Sequence, residues 1–326
     1  MRIIENASLQ DDSGFLHLRF RGRMLAPFID PQAIESLAAT WDTDENDIFI
    51  CSHQKVGTHL TKKFVVEILR ALGLSEGHPC ASGDIGVDSV PWPEVMVSQK
   101  GIEKFENFRN QTAGQPRVWY IHCPIEDLPF RSIHPGTRFI HVYRDPRGAA
   151  VSQYFFYKKH PLLQVDPDLE MDTYAQMFVE GDLYFGDYHH HTLGWAQAAD
   201  PRINPEQLLV MQFENLVQDK LNSVNILSEF LAPGHSMDYE QTVAIARSTE
   251  FNTMKQSIQK NPGSFHFDPN TFFRSGKTDD WKELLPDSAV EIIDQKTRMV
   301  WGATGQPEIV QGSANSRSNR VKMTAA

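Results

Sequence analysis

Four short apolar runs constrain this chain more than any other feature. They are DIFICS (Asp47–Ser52), RVWYIH (Arg117–His122), RFIHVY (Arg138–Tyr143) and LLVMQF (Leu208–Phe213). Each is continuous rather than alternating. A strand that is apolar on both sides must be covered on both faces, as in a parallel sheet between helical layers. Helical spacing fills the intervals. After the first run, Leu60, Phe64, Ile68 and Leu72 recur at every fourth residue, Val65 and Leu69 widen the stripe, and Gly73 supplies a C-cap. After the third run, Asp145-Pro146 reads as an N-cap acid followed by proline at the first helical position. Strand, helix, strand, helix is the grammar of an α/β fold.

The expected fold is therefore a single α/β domain over residues 41–310, a central parallel sheet flanked by helices. Residues 1–40 read as an N-terminal segment, a polar start followed by the amphipathic stretch PQAIESLAAT. Residues 311–326, rich in Ser, Asn and Arg without periodicity, read as a disordered tail. No Gly/Ser-rich linker and no internal repeat divides the chain.

Charge narrows the partners. With 31 Lys plus Arg against 42 Asp plus Glu, the formal charge is −11. An acidic surface gives no footprint for nucleic acid, so any phosphate or sulfate must be held by a local cluster. The opening MRIIENASLQDDSG has acids and no apolar core, and no run of about 18 apolar residues follows anywhere. The three cysteines, Cys51, Cys80 and Cys123, form neither a disulfide framework nor a CxxC pair. The expectation is a soluble, cytoplasmic protein that needs no metal and meets neither membrane nor nucleic acid.

Three clusters could hold anions. The first strand runs into Ser52-His53-Gln54-Lys55-Val56-Gly57-Thr58-His59 and then a helix. That arrangement aims backbone N–H groups and the helix dipole at a ligand, with Lys55 adding charge, Gly57 close approach and Thr58 a hydroxyl. It is not GxxxxGK[ST], because Lys55 precedes Gly57. By itself the loop reads equally as an ordinary strand-to-helix turn with a solvated lysine. Arg144 closes the third strand, at the carboxyl end where open parallel sheets bind ligands, and Ser152 lies two turns into the next helix. Arg274-Ser275-Gly276 offers a guanidinium, a hydroxyl and unhindered amides, which suit a phosphate monoester.

Together these segments resemble the cytosolic sulfotransferase family. HQKVGTHL is similar to its YPKSGTTW motif, RDPRGAAVSQYFF to RNPKDVAVSYYHF, and RSGKTDDWKELL to RKGxxGDWKNxF. The resemblance spans roughly Asp47 to Leu285. It implies a fold like that of the P-loop-containing nucleoside triphosphate hydrolases. It also implies 3′-phosphoadenosine-5′-phosphosulfate as donor and the 3′,5′-bisphosphate (PAP) as product. Lys55, Gly57 and Thr58 would hold the 5′-phosphosulfate, with Lys55 also neutralising charge as the S–O bond breaks. Arg144, Ser152, Arg274, Ser275 and Gly276 would hold the 3′-phosphate, and Thr249 and Phe251 the adenine.

By the same resemblance, Tyr120-Ile121-His122-Cys123-Pro124 is similar to a family segment KTHLP, keeping its His and Pro but not its Lys. His122 is the implied general base, a role suited to its unperturbed pKa of about 6.5. Trp92, Tyr154, Phe156 and His191 are candidates for a pocket taking a small-molecule hydroxyl or amine. Two rival constellations are weaker. Cys123 and His122 point to opposite faces of an extended segment, and consecutive His189, His190 and His191 diverge on a helix. Departures from the pattern are Leu60, Phe213, Ser275 and His59, and the dimer motif survives only as Lys282 and Glu291, which leaves the oligomeric state open. The alternatives are a P-loop kinase or NTPase and a non-catalytic nucleotide-binding module.

Overall fold

The four apolar runs pair side by side, in a computed structural model that describes residues 5–10, 16–160, 162–163, 165–235, 237–260 and 269–310. The expected tail, 311–326, lies outside the described residues. In chain order the strands are β1 (Glu5–Gln10), β2 (Leu16–Phe20), β3 (Arg23–Leu25), β4 (Asp47–Ser52), β5 (Arg117–Ile121), β6 (Arg138–Tyr143) and β7 (Leu208–Gln212). The last four form a parallel sheet in the order β5-β4-β6-β7. Every residue of β4 and β5 is buried, which is why neither alternates.

Two boundaries differ from the sequence reading by one residue. β5 ends at Ile121, because the His122 ring turns to Ser52 and Pro124 follows. β7 ends at Gln212, because Phe213 opens a short helix over Phe213–Gln218. The first 40 residues hold a feature the sequence did not announce. β1, β2 and β3 form a three-stranded antiparallel sheet before the helix Pro31–Thr40. That sheet is tied to the domain where Phe185 N–H donates to the Met24 carbonyl at 2.8 Å.

At the amino ends of β4 and β5, Asp47 and Arg117 stand in register. The fully buried Asp47 carboxylate accepts from Arg117 Nε at 2.9 Å, Trp119 Nε1 at 2.8 Å and the Asp44 amide at 2.8 Å. Since a one-residue slip would reverse every side chain, this pair fixes what the opposite ends of the two strands present: the Lys55 loop and His122. Arg117 also pairs with Asp44, so removing Asp47 strips Arg117 Nε and Trp119 Nε1 of their buried acceptor without leaving the guanidinium bare. Asp47→Ala should therefore lower unfolding free energy by about 2–5 kcal/mol in a urea titration. A loss under about 1 kcal/mol would mean that the pair does not hold the register.

Candidate active site

All four strands of the parallel sheet end at one cavity of about 560 Å³, an ordinary size for a small-ligand site. β4 supplies the loop 53–57. Gly57, in the left-handed region at φ 116°, reverses the chain into the helix Thr58–Ala71, and its carbonyl accepts from Thr61 N–H at 2.9 Å. The amino end of that helix therefore points at the cavity. A Cβ on Gly57 would come within 2.6 Å of the Phe213 ring, so only glycine lets the two meet.

Lys55 is partly buried, and among the described residues no carboxylate pairs with it. Its Nζ lies 4.5 Å from the centre of the Phe156 ring and 5.1 Å from that of Phe272, and it donates to the Phe272 carbonyl at 3.3 Å. Burial, then the charges of Arg144 and Arg274, push its pKa down to about 7.

Arg144 leaves β6 almost fully buried, at 5% exposure. Its guanidinium lies over the Phe213 ring at 4.5 Å and donates to the Lys277 carbonyl at 3.2 Å, while its Nε has no partner among the described residues. Gly148 makes room for it, since a Cβ there would come within 2.9 Å of Nε. Opposite, Arg274 donates to Asp280 Oδ2 at 2.6 Å and keeps a buried Nε without a partner among the described residues. The Ser275 hydroxyl also donates to Asp280, so part of this cluster is engaged within the protein. Gly276, at φ 71°, presses on Phe251, whose ring a Cβ would meet at 2.6 Å. Thr249 Oγ1 donates to the Ala246 carbonyl at 2.7 Å, which leaves its lone pairs free to accept. Ser152 completes this side of the lining.

His122 faces the cavity from the end of β5. Its Nδ1 lies 2.7 Å from the Ser52 carbonyl. A carbonyl only accepts, so Nδ1 carries the proton and Nε2 presents a lone pair. Burial, and to a lesser degree the nearby cations, hold its pKa down to about 3, so the ring is neutral at physiological pH. Trp92 packs edge-on against it at 4.7 Å, within an apolar wall that includes Tyr120 and Phe185.

Thirteen of the fifteen residues expected from the sequence line this one cavity: Lys55, Gly57, Thr58, Trp92, His122, Arg144, Ser152, Phe156, Thr249, Phe251, Arg274, Ser275 and Gly276. Two do not. Tyr154 sits on the far side of its helix, where its hydroxyl donates to the Leu169 carbonyl at 2.7 Å and its ring packs on Tyr174. His191 lies behind His122, and its Nε2 donates to the His122 carbonyl at 3.2 Å. The neighbouring rings diverge as helical spacing requires, His189 to Thr297 and His190 to Asp187. Among the described residues no group of His, Cys, Asp or Glu is placed to hold a metal ion. Lys62 and Phe272 join the lining unannounced, His59 enters it where the sequence reading has only a departure from the motif, and Asp280 holds Arg274 and Ser275 from behind the lining. For Lys62 the signal was available, because it stands four residues after Thr58 on the same helical face.

The sulfotransferase domain family matches residues 45–305 of this chain. The chain is 25% identical over 270 residues to 3-alpha-hydroxysteroid sulfotransferase of Cavia porcellus, covering 81% of this chain and 87% of that protein. It is 29% identical over 293 residues to sulfotransferase 6B1 of Danio rerio, with 90% of each covered. Mouse sulfotransferase SULT7A1 complexed with PAP superposes with a TM-score of 0.69 at 22% identity, over 88% of this chain and 96% of that one. Retinol dehydratase in complex with androsterone and PAP superposes with a TM-score of 0.61 at 18% identity, over 89% of this chain and 90% of that one.

Because Gly57 combines a positive φ with ring contact, Gly57→Ala should cost about 1–3 kcal/mol of stability in a thermal or urea melt. An unchanged melting temperature would show that Phe213 does not rest on this glycine. The chain belongs to the sulfotransferase family.

Proposed function

We propose that this sulfotransferase moves the sulfuryl group of 3′-phosphoadenosine-5′-phosphosulfate to a hydroxyl or amine of a small-molecule acceptor. The observation that carries the reading is the convergence of Lys55, Arg144 and Arg274 on one cavity, with the free Nε2 of His122 facing the same space. The unpartnered Nε atoms of Arg144 and Arg274, and the bare backbone of Gly276 against an aromatic ring, fit a phosphorylated nucleoside. Solved neighbours of this fold hold PAP, and one also holds androsterone.

The donor supplies the sulfuryl group and leaves as the 3′,5′-bisphosphate. Lys55, Gly57, Thr58 and the helix start would hold its 5′ side. Arg144, Ser152, Arg274 and Gly276 would hold the 3′-phosphate, and Thr249 and Phe251 the base. His122 Nε2 takes the proton of the attacking acceptor, while Lys55 meets the negative charge that develops on the departing oxygen. Anions entering the cavity offset the neighbouring cations and raise the basicity of His122. Trp92 and Phe156 wall the acceptor space. The catalytic unit is residues 41–310. A reducing, cytoplasmic setting accords with free Cys51, Cys80 and Cys123, and no helix among the described residues is long and apolar enough to cross a membrane.

A nucleotide held at both ends should stabilise the protein by mass action. PAP should raise the melting temperature well above the value with an equal concentration of AMP, which lacks the 3′-phosphate. Arg144→Ala should erase most of that difference, since it removes a charged hydrogen bond worth roughly 1.5–3 kcal/mol. Equal stabilisation by PAP and AMP in the unaltered protein would overturn the assignment of the 3′-phosphate site.

A further inference from the structure

One fully buried cation in the cavity has no part in the chemistry described so far. Lys62 is 1% exposed, yet it lines the cavity. It stands one helical turn beyond Thr58, roughly 6 Å along the axis and away from the phosphate loop. Its Nζ lies 4.2 Å from the centre of the Tyr120 ring, and among the described residues no carboxylate pairs with it. Asp84 acts on it only through space and spends its oxygens on the Gly86 amide and the Ser89 hydroxyl. A buried ammonium without a counter-anion is costly, and burial accordingly pushes its pKa down to about 7. Trp92, Val95 and Met96, which line the same cavity, are apolar and offer it no counter-charge.

We propose that Lys62 is the anion-binding residue of the acceptor pocket, and that the acceptor is a hydroxy or amino acid carrying a carboxylate that pairs with Lys62 when its nucleophile faces His122. This rests on the sulfotransferase reading above and names the substrate class of that same site. A carboxylate fits better than a phosphate. Lys62 offers a single positive charge with no helix start beside it, and Lys100, farther out along the lining, is engaged by Asp88 at 3.2 Å. The ring of Tyr120 beneath Nζ holds the ammonium in place without neutralising it.

The test measures binding to protein saturated with PAP, by calorimetry. The probes are 4-hydroxybenzoate, 4-hydroxyphenylacetate and 3-(4-hydroxyphenyl)propionate, each beside its methyl ester. At least one acid should bind the unaltered protein on the order of 10–100-fold more tightly than its ester, the range of a charged hydrogen bond. Lys62→Met keeps the length of the side chain and should bring acid and ester within about threefold. Lys62→Arg should keep the preference, which guards against a loss that reflects misfolding. No acid preference in any pair, or a preference untouched by Lys62→Met, overturns the proposal. PAP binding is the control: its absence would overturn the donor reading instead, while PAP binding without acid preference overturns this inference alone.

Discussion

Four of the cations that line the cavity each lie over an aromatic ring. Lys55 is over Phe156 and Phe272, Lys62 over Tyr120, Arg144 over Phe213 and Arg274 over Phe155. Of these four, only Arg274 has a carboxylate partner among the described residues, Asp280. A ring face returns about 0.5–2 kcal/mol, less than the several kcal/mol that burying an ion costs. The site therefore holds positive charge that the protein leaves unneutralised, in a chain whose formal charge is −11. An anionic ligand completes it. The glycines follow from the same demand, because Gly57, Gly148 and Gly276 let rings and guanidiniums approach the backbone.

The sheet is what makes this convergence possible. Parallel strands put their carboxyl ends on one side, so the β4 loop, His122 after β5 and Arg144 after β6 open onto the same space. Asp47 and Arg117 pin the register at the far end, and the His122 Nδ1 bond to Ser52 ties β4 to β5 at the near end. That second bond also selects the tautomer in which Nε2 is free. One contact thus both ties the two strands and fixes the orientation of the ring.

The strands of the parallel sheet were legible because full burial on both faces leaves an unbroken apolar run. β1, β2 and β3 were not, because short strands such as LHLRF carry polar residues that read as a surface segment. Phase explains the rest. Ser152 and Phe156 stand four apart and share the cavity face, whereas Tyr154, midway between them, points to Tyr174. Lys62 went unread because a lysine in an amphipathic helix is ordinarily a solvated one, and its burial depends on the packing of that helix against Tyr120. Asp280 entered the sequence only as part of a motif. Its hold on Arg274 and Ser275 is a tertiary contact with no local signature.

The proposed mechanism divides the labour between His122, which would take the proton, and Lys55, which would meet the charge of the leaving oxygen. Single-turnover rate and PAP affinity, measured side by side in His122→Ala and Lys55→Ala, test it directly. His122→Ala should slow turnover on the order of 10²–10⁴-fold and leave PAP affinity nearly unchanged, whereas Lys55→Ala should weaken both. Loss of PAP binding in folded His122→Ala, or near-normal turnover with a hydroxyl acceptor, would contradict the assignment.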